Sequence, residues 1–222
     1  MCWNEDISLN TFLFSSFVLG LIIYNNIYTK YKIKELNNVW VYVFFMSFIL
    51  MQLIEYFIWR NINSPLYNKI FTIMATLLLL VQPIATNMLF PVKYKMLQES
   101  MLYIYLIVTI PFAIYKFMSV NINSTVSKWH HLQWNMLVDS NNKSEANIFM
   151  AFWLFFFLFP LFYQEKKYGL IFGVLTLLVM IYNYYNDKSV GSMWCWIVNS
   201  IMLFYAGYLM LYLPFFQKIS IL

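Results

Sequence analysis

Apolar residues gather in seven long runs along this chain, at 7–27, 39–59, 70–90, 101–119, 147–163, 168–185 and 190–212, and polar residues fill the gaps. A helix needs about 20 apolar residues to cross a bilayer, within a range of about 17–25. Each run therefore predicts a spanning helix. Most of the gaps are short, such as Lys30 to Glu35, Gln164 to Lys167 and Asn186 to Ser189. Loops of that length make sequential helices antiparallel neighbours. Residues 1–222 then form a single transmembrane domain, an all-α polytopic bundle of seven spans. The one longer gap, 120–146, forms a loop on the outer side. In it Trp129, Leu132 and Met136 recur at helical spacing after Ser127, which predicts a short interfacial helix over 128–138.

Composition agrees that the solvent is lipid. Of 222 residues, 62% are hydrophobic, 22% aromatic and 10% charged, whereas soluble domains carry roughly 25% charged residues. The net charge of +5 sits in lysines of short loops between apolar runs, so it reads as an orientation signal rather than a nucleic-acid surface. The loops after runs 1, 3 and 5, with the C-terminus, hold eight cations (Lys30, Lys32, Lys34, Lys93, Lys95, Lys166, Lys167 and Lys218), against six on the opposite side. The count predicts an external N-terminus and a cytosolic C-terminus. Two glycosylation sequons, at Asn123 and Asn142, fall in the loop assigned outside, in agreement. The acidic start, Met-Cys-Trp-Asn-Glu-Asp, lacks the positive region of a signal peptide, so the first run reads as a retained helix. The expected partner is the bilayer, with no nucleic acid.

Against this background one side chain stands out. Glu55 has 16 uncharged residues ahead of it, back to Val39, and Arg60 is the next charge beyond. Gln52 lies three residues before it and Trp59 four after, so the three share one helix face. A carboxyl in hydrocarbon is expensive and normally faces a bundle interior or a wet cavity. Arg60 offers the competing interpretation of an interfacial anchor or ion pair. Other polar residues fall on run 3 (Gln82, Pro83, Thr86, Asn87), run 6 (Thr176, Asn183) and run 7 (Ser192, Trp196, Asn199), while run 5 is almost purely aromatic and aliphatic and reads as a lipid-facing wall. Pro83 also frees a carbonyl one turn earlier.

A midplane pocket between helices 2, 3, 6 and 7 follows from this placement. Glu55 would be its protonatable or cation-binding group, with Gln52, Gln82, Asn87 and Asn199 as hydrogen-bonding lining and Trp59 and Trp196 as gates at the external mouth. The competing interpretation makes the same amides interhelical glue, each contact worth about 0.6 kcal/mol. Enzyme chemistry lacks its parts: no run contains a His base, an Asp pair or a Gly-x-Ser-x-Gly elbow. No cofactor is expected. His130-His131 is too small a set for a metal site, since adjacent helical side chains diverge by about 100° and a site needs three or four ligands. Cys2 and Cys195 fall near one membrane face by chain order, which allows either a disulfide or two free thiols.

Met51-Gln-x-x-Glu-x-x-x-Trp59, followed by Gln82-Pro83 and Gly191-Ser-x-Trp-Cys-Trp-x-x-Asn199, resembles an uncharacterised seven-helix membrane protein family of large DNA viruses of eukaryotes. The resemblance covers most of the chain. It implies a seven-helix fold in a host or virion membrane and brings no mechanism. The Asn-, Ile-, Tyr- and Lys-rich composition suits an AT-rich genome. The architecture is also loosely similar to sugar transporters of the SWEET and PQ-loop type, which pair Asn residues on the third and seventh helices, where Asn87 and Asn199 stand here. That family also places Trp on helices 2 and 6: Trp59 fits, helix 6 offers no Trp, and Gln82-Pro83 reverses the Pro-Gln signature and falls on a different helix. Together these features point to a carrier or channel for a small solute, protons or cations, with a non-catalytic membrane scaffold as the alternative.

Overall fold

A computed structural model describes residues 4–29, 32–33, 36–136, 143–165 and 167–216. Cys2, with its proposed pairing to Cys195, and the Asn142 sequon lie outside the described residues. The chain is mostly helical: α1 (Glu5–Tyr28), α2 (Val39–Arg60), α3 (Pro65–Asn87), α4 (Lys95–Ser119), α5 (Lys143–Leu158), α6 (Tyr168–Tyr184) and α7 (Val190–Phe215). Six of these are long and apolar enough to cross a membrane, α5 when taken with its helical continuation as Ser144–Tyr163, and α6, at 17 residues, is the shorter apolar one.

Local chemistry sets the ends. Asn4 caps α1 by accepting from the Ile7 N–H at 2.9 Å, and Glu5 and Asp6 add negative charge beside the helix N-terminus. Asn38 caps α2 through the Trp40 N–H at 2.9 Å. Pro65 occupies the first turn of α3, where its missing N–H costs nothing. That start lies five residues earlier than the apolar run suggested, because Leu66, Tyr67 and Asn68 already belong to the helix. Pro160 ends regular α5 geometry, and 159–163 tighten into a 3-10 turn. Near its far end α7 loosens into a π segment at Tyr208–Tyr212.

α2 is the hub, packing on α1, α3 and α7, while α3 also meets α5 and α6 meets α7. Two apolar clusters fill the interior. One joins Phe48, Met51, Ile54 and Ile58 of α2 to Ala75, Trp153, Phe157, Met193 and Trp194. The other joins Val18, Leu19 and Ile22 of α1 to Phe45, Ile49 and Met202. Large apolar side chains such as Phe17, Ile107, Leu178 and Phe204 point outward, each more than half exposed, as lipid-facing positions do.

Two expectations are corrected here. Residues 128–138 are not a helix: β1 (Asn123–Val126) pairs antiparallel with β2 (Leu132–Asn135), Ser124 opposite Trp134, so the chain is not purely α. Residues 127–131 connect them, with Ser127 and His131 paired across the three-residue turn Lys128-Trp129-His130. The Ser127 N–H donates to the His131 carbonyl at 2.8 Å, and His130 takes a left-handed φ of 60°. A turn followed by a left-handed residue is a standard three-residue hairpin connection, and that φ ends any helix. Leu132 and Met136 are buried and Trp134 partly so, a period-two set that overlaps the helical spacing noticed in the sequence. Nor is α5 a lipid-facing wall. Trp153, Phe156 and Phe157 are buried, with Phe155 half exposed behind them. Trp153 stacks on Phe157 at 4.9 Å between centroids, and both meet Trp194 edge-on.

Candidate functional site

Glu55 is fully buried on the inward face of α2, and Gln52 Nε2 donates to its carboxylate at 2.8 Å. Arg60 turns elsewhere, to Glu5 at 3.8 Å and the Tyr56 hydroxyl at 3.0 Å, both exposed contacts. The interfacial pairing of Glu55 with Arg60 is therefore not the geometry adopted. Across from Glu55 runs the first half of α7. Asn199 Nδ2 donates to the Phe48 carbonyl of α2 at 3.2 Å and to the Cys195 carbonyl at 2.8 Å. That contact fixes the antiparallel register, setting Cys195 and Ser192 alongside the stretch from Gln52 to Trp59.

The third wall is α1, which sequence reasoning overlooked. Trp196 Nε1 donates to Thr11 Oγ1 at 3.2 Å. Ser8 and Ser15 share the Thr11 face by their spacing of three and four residues, and both are buried. A polar seam thus runs between α1, α2 and α7, and the apolar cluster of Val18, Leu19, Phe45 and Ile49 lies beyond Ser15 along α1. Among the described residues, no protein group hydrogen-bonds the buried Gln52 Oε1, Asn199 Oδ1, Ser8 Oγ, Ser15 Oγ or Trp59 Nε1. Buried polar atoms without partners are rare in folded proteins and mark places where something else is bound or moves.

Of the other expected lining residues, two lie outside the seam. Gln82 is fully buried on α3, but it is 17 residues into that helix while Glu55 is five short of the end of α2. At 1.5 Å per residue the two are about 18 Å apart along the helix axes. Asn87 exchanges two hydrogen bonds with Gln98, of 3.0 and 3.1 Å, and clamps the α3–α4 turn. Trp196 is tied to Thr11 rather than standing free as a gate. Pro83 does free the Leu79 carbonyl, and Trp153 Nε1 takes it at 2.8 Å, joining α5 to α3. Instead of the expected midplane pocket between helices 2, 3, 6 and 7, the polar groups converge on α1, α2 and α7. A shallow apolar groove along α7 at Leu203, Gly207 and Leu211 lies away from Glu55.

The hairpin closes the bundle at the Glu5–Arg60 end. Asn68 of α3 binds Ser124 through both backbone groups, at 2.9 and 2.8 Å. Ser192 Oγ donates to the Leu132 carbonyl at 2.7 Å. Asp187, in the α6–α7 loop, holds the hairpin loop. It accepts from Ser127 Oγ at 2.6 Å, Ser189 Oγ at 2.8 Å and the Trp129 N–H at 3.3 Å, with His131 Nδ1 at 3.0 Å. Burial works against this carboxylate, but the hydrogen bonds from Ser127, His131, Ser189 and Trp129 outweigh it and hold its pKa below the ordinary value. A depressed carboxylate pKa stabilises the fold above the unfolded-state value and loses that contribution as pH falls through the folded one. Amide protection over 122–136, taken relative to the intrinsic exchange rate at each pH, should therefore hold from neutral pH through mild acid. That protection should fall only below the usual aspartate range.

Comparison with protein-family models, with curated proteins and with solved structures finds no match to this chain.

Proposed function

We propose that this is a multi-pass integral membrane protein that carries or conducts a small solute, protons or cations, with Glu55 as the group that binds and releases the transported species. The observation that supports it is the fully buried Glu55 carboxylate, held by Gln52 in a seam whose other polar atoms lack protein partners. A group of this kind inside a membrane bundle is a natural relay for protons or ions. Gln52, Asn199, Trp59 and Trp196 are the residues of the seam in this reading, with Ser8, Thr11 and Ser15 added. Asn87 belongs to helix packing, and Gln82, whose amide atoms also lack protein partners, lies outside the seam.

The full topology in this proposal is seven spans, with α6 as the short one, an external N-terminus and a cytosolic C-terminus. In a Cys2→Ser background, an impermeant thiol reagent applied to intact cells should label Lys128→Cys and leave Val92→Cys unlabelled. The reverse pattern would overturn the orientation. A rival reading, a membrane scaffold without transport, draws on the dense packing near Glu55, where Met51, Ile58, Thr72 and Ala75 are fully buried. Purified protein in liposomes, screened for proton, cation and small-solute flux, separates the two. Flux above empty vesicles supports the carrier or channel, and silence across the screen supports the scaffold.

A further inference from the structure

The partners already made by the seam residues narrow what the seam takes. Gln52 Nε2 is used on Glu55, and Asn199 Nδ2 on the Phe48 and Cys195 carbonyls. The two side chains are thereby left with their amide oxygens, Gln52 Oε1 and Asn199 Oδ1, buried and without a protein hydrogen bond. Ser8 Oγ and Ser15 Oγ are in the same position, while Thr11 Oγ1 between them already accepts from Trp196. The two amide oxygens and the Glu55 carboxylate can only accept, the Ser8 and Ser15 hydroxyls can donate or accept, and Trp59 Nε1 only donates. An anion needs donors or positive charge. A sugar-like solute needs donors and acceptors in similar number. Around Gln52, Glu55 and Asn199 the groups of fixed role are acceptors, and the Ser15 hydroxyl can turn its lone pairs toward the same point.

We infer that the α1–α2–α7 seam binds a hard monovalent cation of the sodium kind, coordinated by Glu55 with the oxygens of Gln52, Asn199 and Ser15. This rests on the reading of the seam as a transport site. Carboxylate, carbonyl and hydroxyl oxygens are the ligands hard cations prefer. Charge balance sets the valence: one carboxylate in a hydrocarbon surround neutralises one positive charge, whereas calcium sites gather six to eight oxygens, with several carboxylates among them. Geometry supports a shared site. Ser15 shares an α1 face with Thr11, which is bonded to Trp196, while Ser8, about 10.5 Å along the helix from Ser15, lies too far to join the same ion. Trp196 and Asn199 lie three apart on α7, and Asn199 is bonded to the carbonyl one turn before Gln52.

The test uses purified full-length protein in nanodiscs. Its melting temperature is followed as sodium chloride replaces choline chloride at constant ionic strength, and radioactive sodium binding is measured by equilibrium dialysis. A ligand that binds the folded state raises the melting temperature saturably. Sodium should do so, and Glu55→Gln should abolish the shift. Ser15→Ala, which removes one oxygen and suits a helix, should raise the sodium concentration at the midpoint about tenfold, the size of one lost contact. If Glu55→Gln does not fold, Ser15→Ala carries the test alone. Proton flux that depends on Glu55, with neither a sodium-specific shift nor bound sodium, would overturn the cation assignment and leave the transport reading standing. Absence of shift, binding and flux together would overturn both.

Discussion

Phe157→Ala should cost about 3–5 kcal/mol, the usual penalty for emptying a packed aromatic site. Its ring lies flat on Trp153, meets Phe48 edge-on at 5.9 Å and Trp194 at 5.5 Å, and is 2% exposed. Between membrane helices, packing rather than water drives association, so a void here loosens α2, α5 and α7 together. Phe155→Leu on the same helix should change stability by no more than about 0.5 kcal/mol, since that ring is 50% exposed. Thermal melts of the two variants in one detergent check the contrast. Equal effects would mean that α5 packs differently.

Asp187→Ala should free the hairpin while the helices stay folded. It strands the Ser127 and Ser189 hydroxyls, the Trp129 N–H and His131 Nδ1. Each buried group left without its partner costs about 1–3 kcal/mol. Asp187→Asn keeps one acceptor oxygen and should lose less. Fast amide exchange over 122–136, with helical amides of α2 still protected, is the expected readout. Protection unchanged in Asp187→Ala would remove Asp187 from the latch.

Much of the helical frame was legible because apolar length is a strong signal, while the capping chemistry of Asn4, Asn38 and Pro65, which fixes three starts, went unread and left α3 five residues short. The inward direction of Glu55 was legible too, from its enclosure and from Gln52 one turn away. What escaped was set by distant partners. The hairpin depends on Asn68 and Asp187, each more than 50 residues from the strand or loop residues they hold. Leu132 and Met136 fit a period of four as well as a period of two, and the left-handed His130 decides between them. The buried side of α5 was hidden because a uniformly aromatic helix has no polar face to reveal its orientation. The α1 wall did leave a signal: Ser8, Thr11 and Ser15 stand at helical spacing in the first apolar run. Hydroxyl residues are common in such runs, so that stripe gained meaning from the Trp196–Thr11 bond.

The central claim is that Glu55 acts as an ionisable group rather than as packing. In Glu55→Gln the amide fills the same volume and still hydrogen-bonds with Gln52, so the fold should persist with a melting temperature near that of the parent. Glu55→Leu should be less stable, by about 1–3 kcal/mol for the stranded Gln52 amide. The most direct measurement is proton and sodium flux into liposomes holding equal amounts of folded wild type and Glu55→Gln. The account predicts pH-dependent flux through the wild type and none above empty vesicles through Glu55→Gln. Equal flux through both proteins would contradict it.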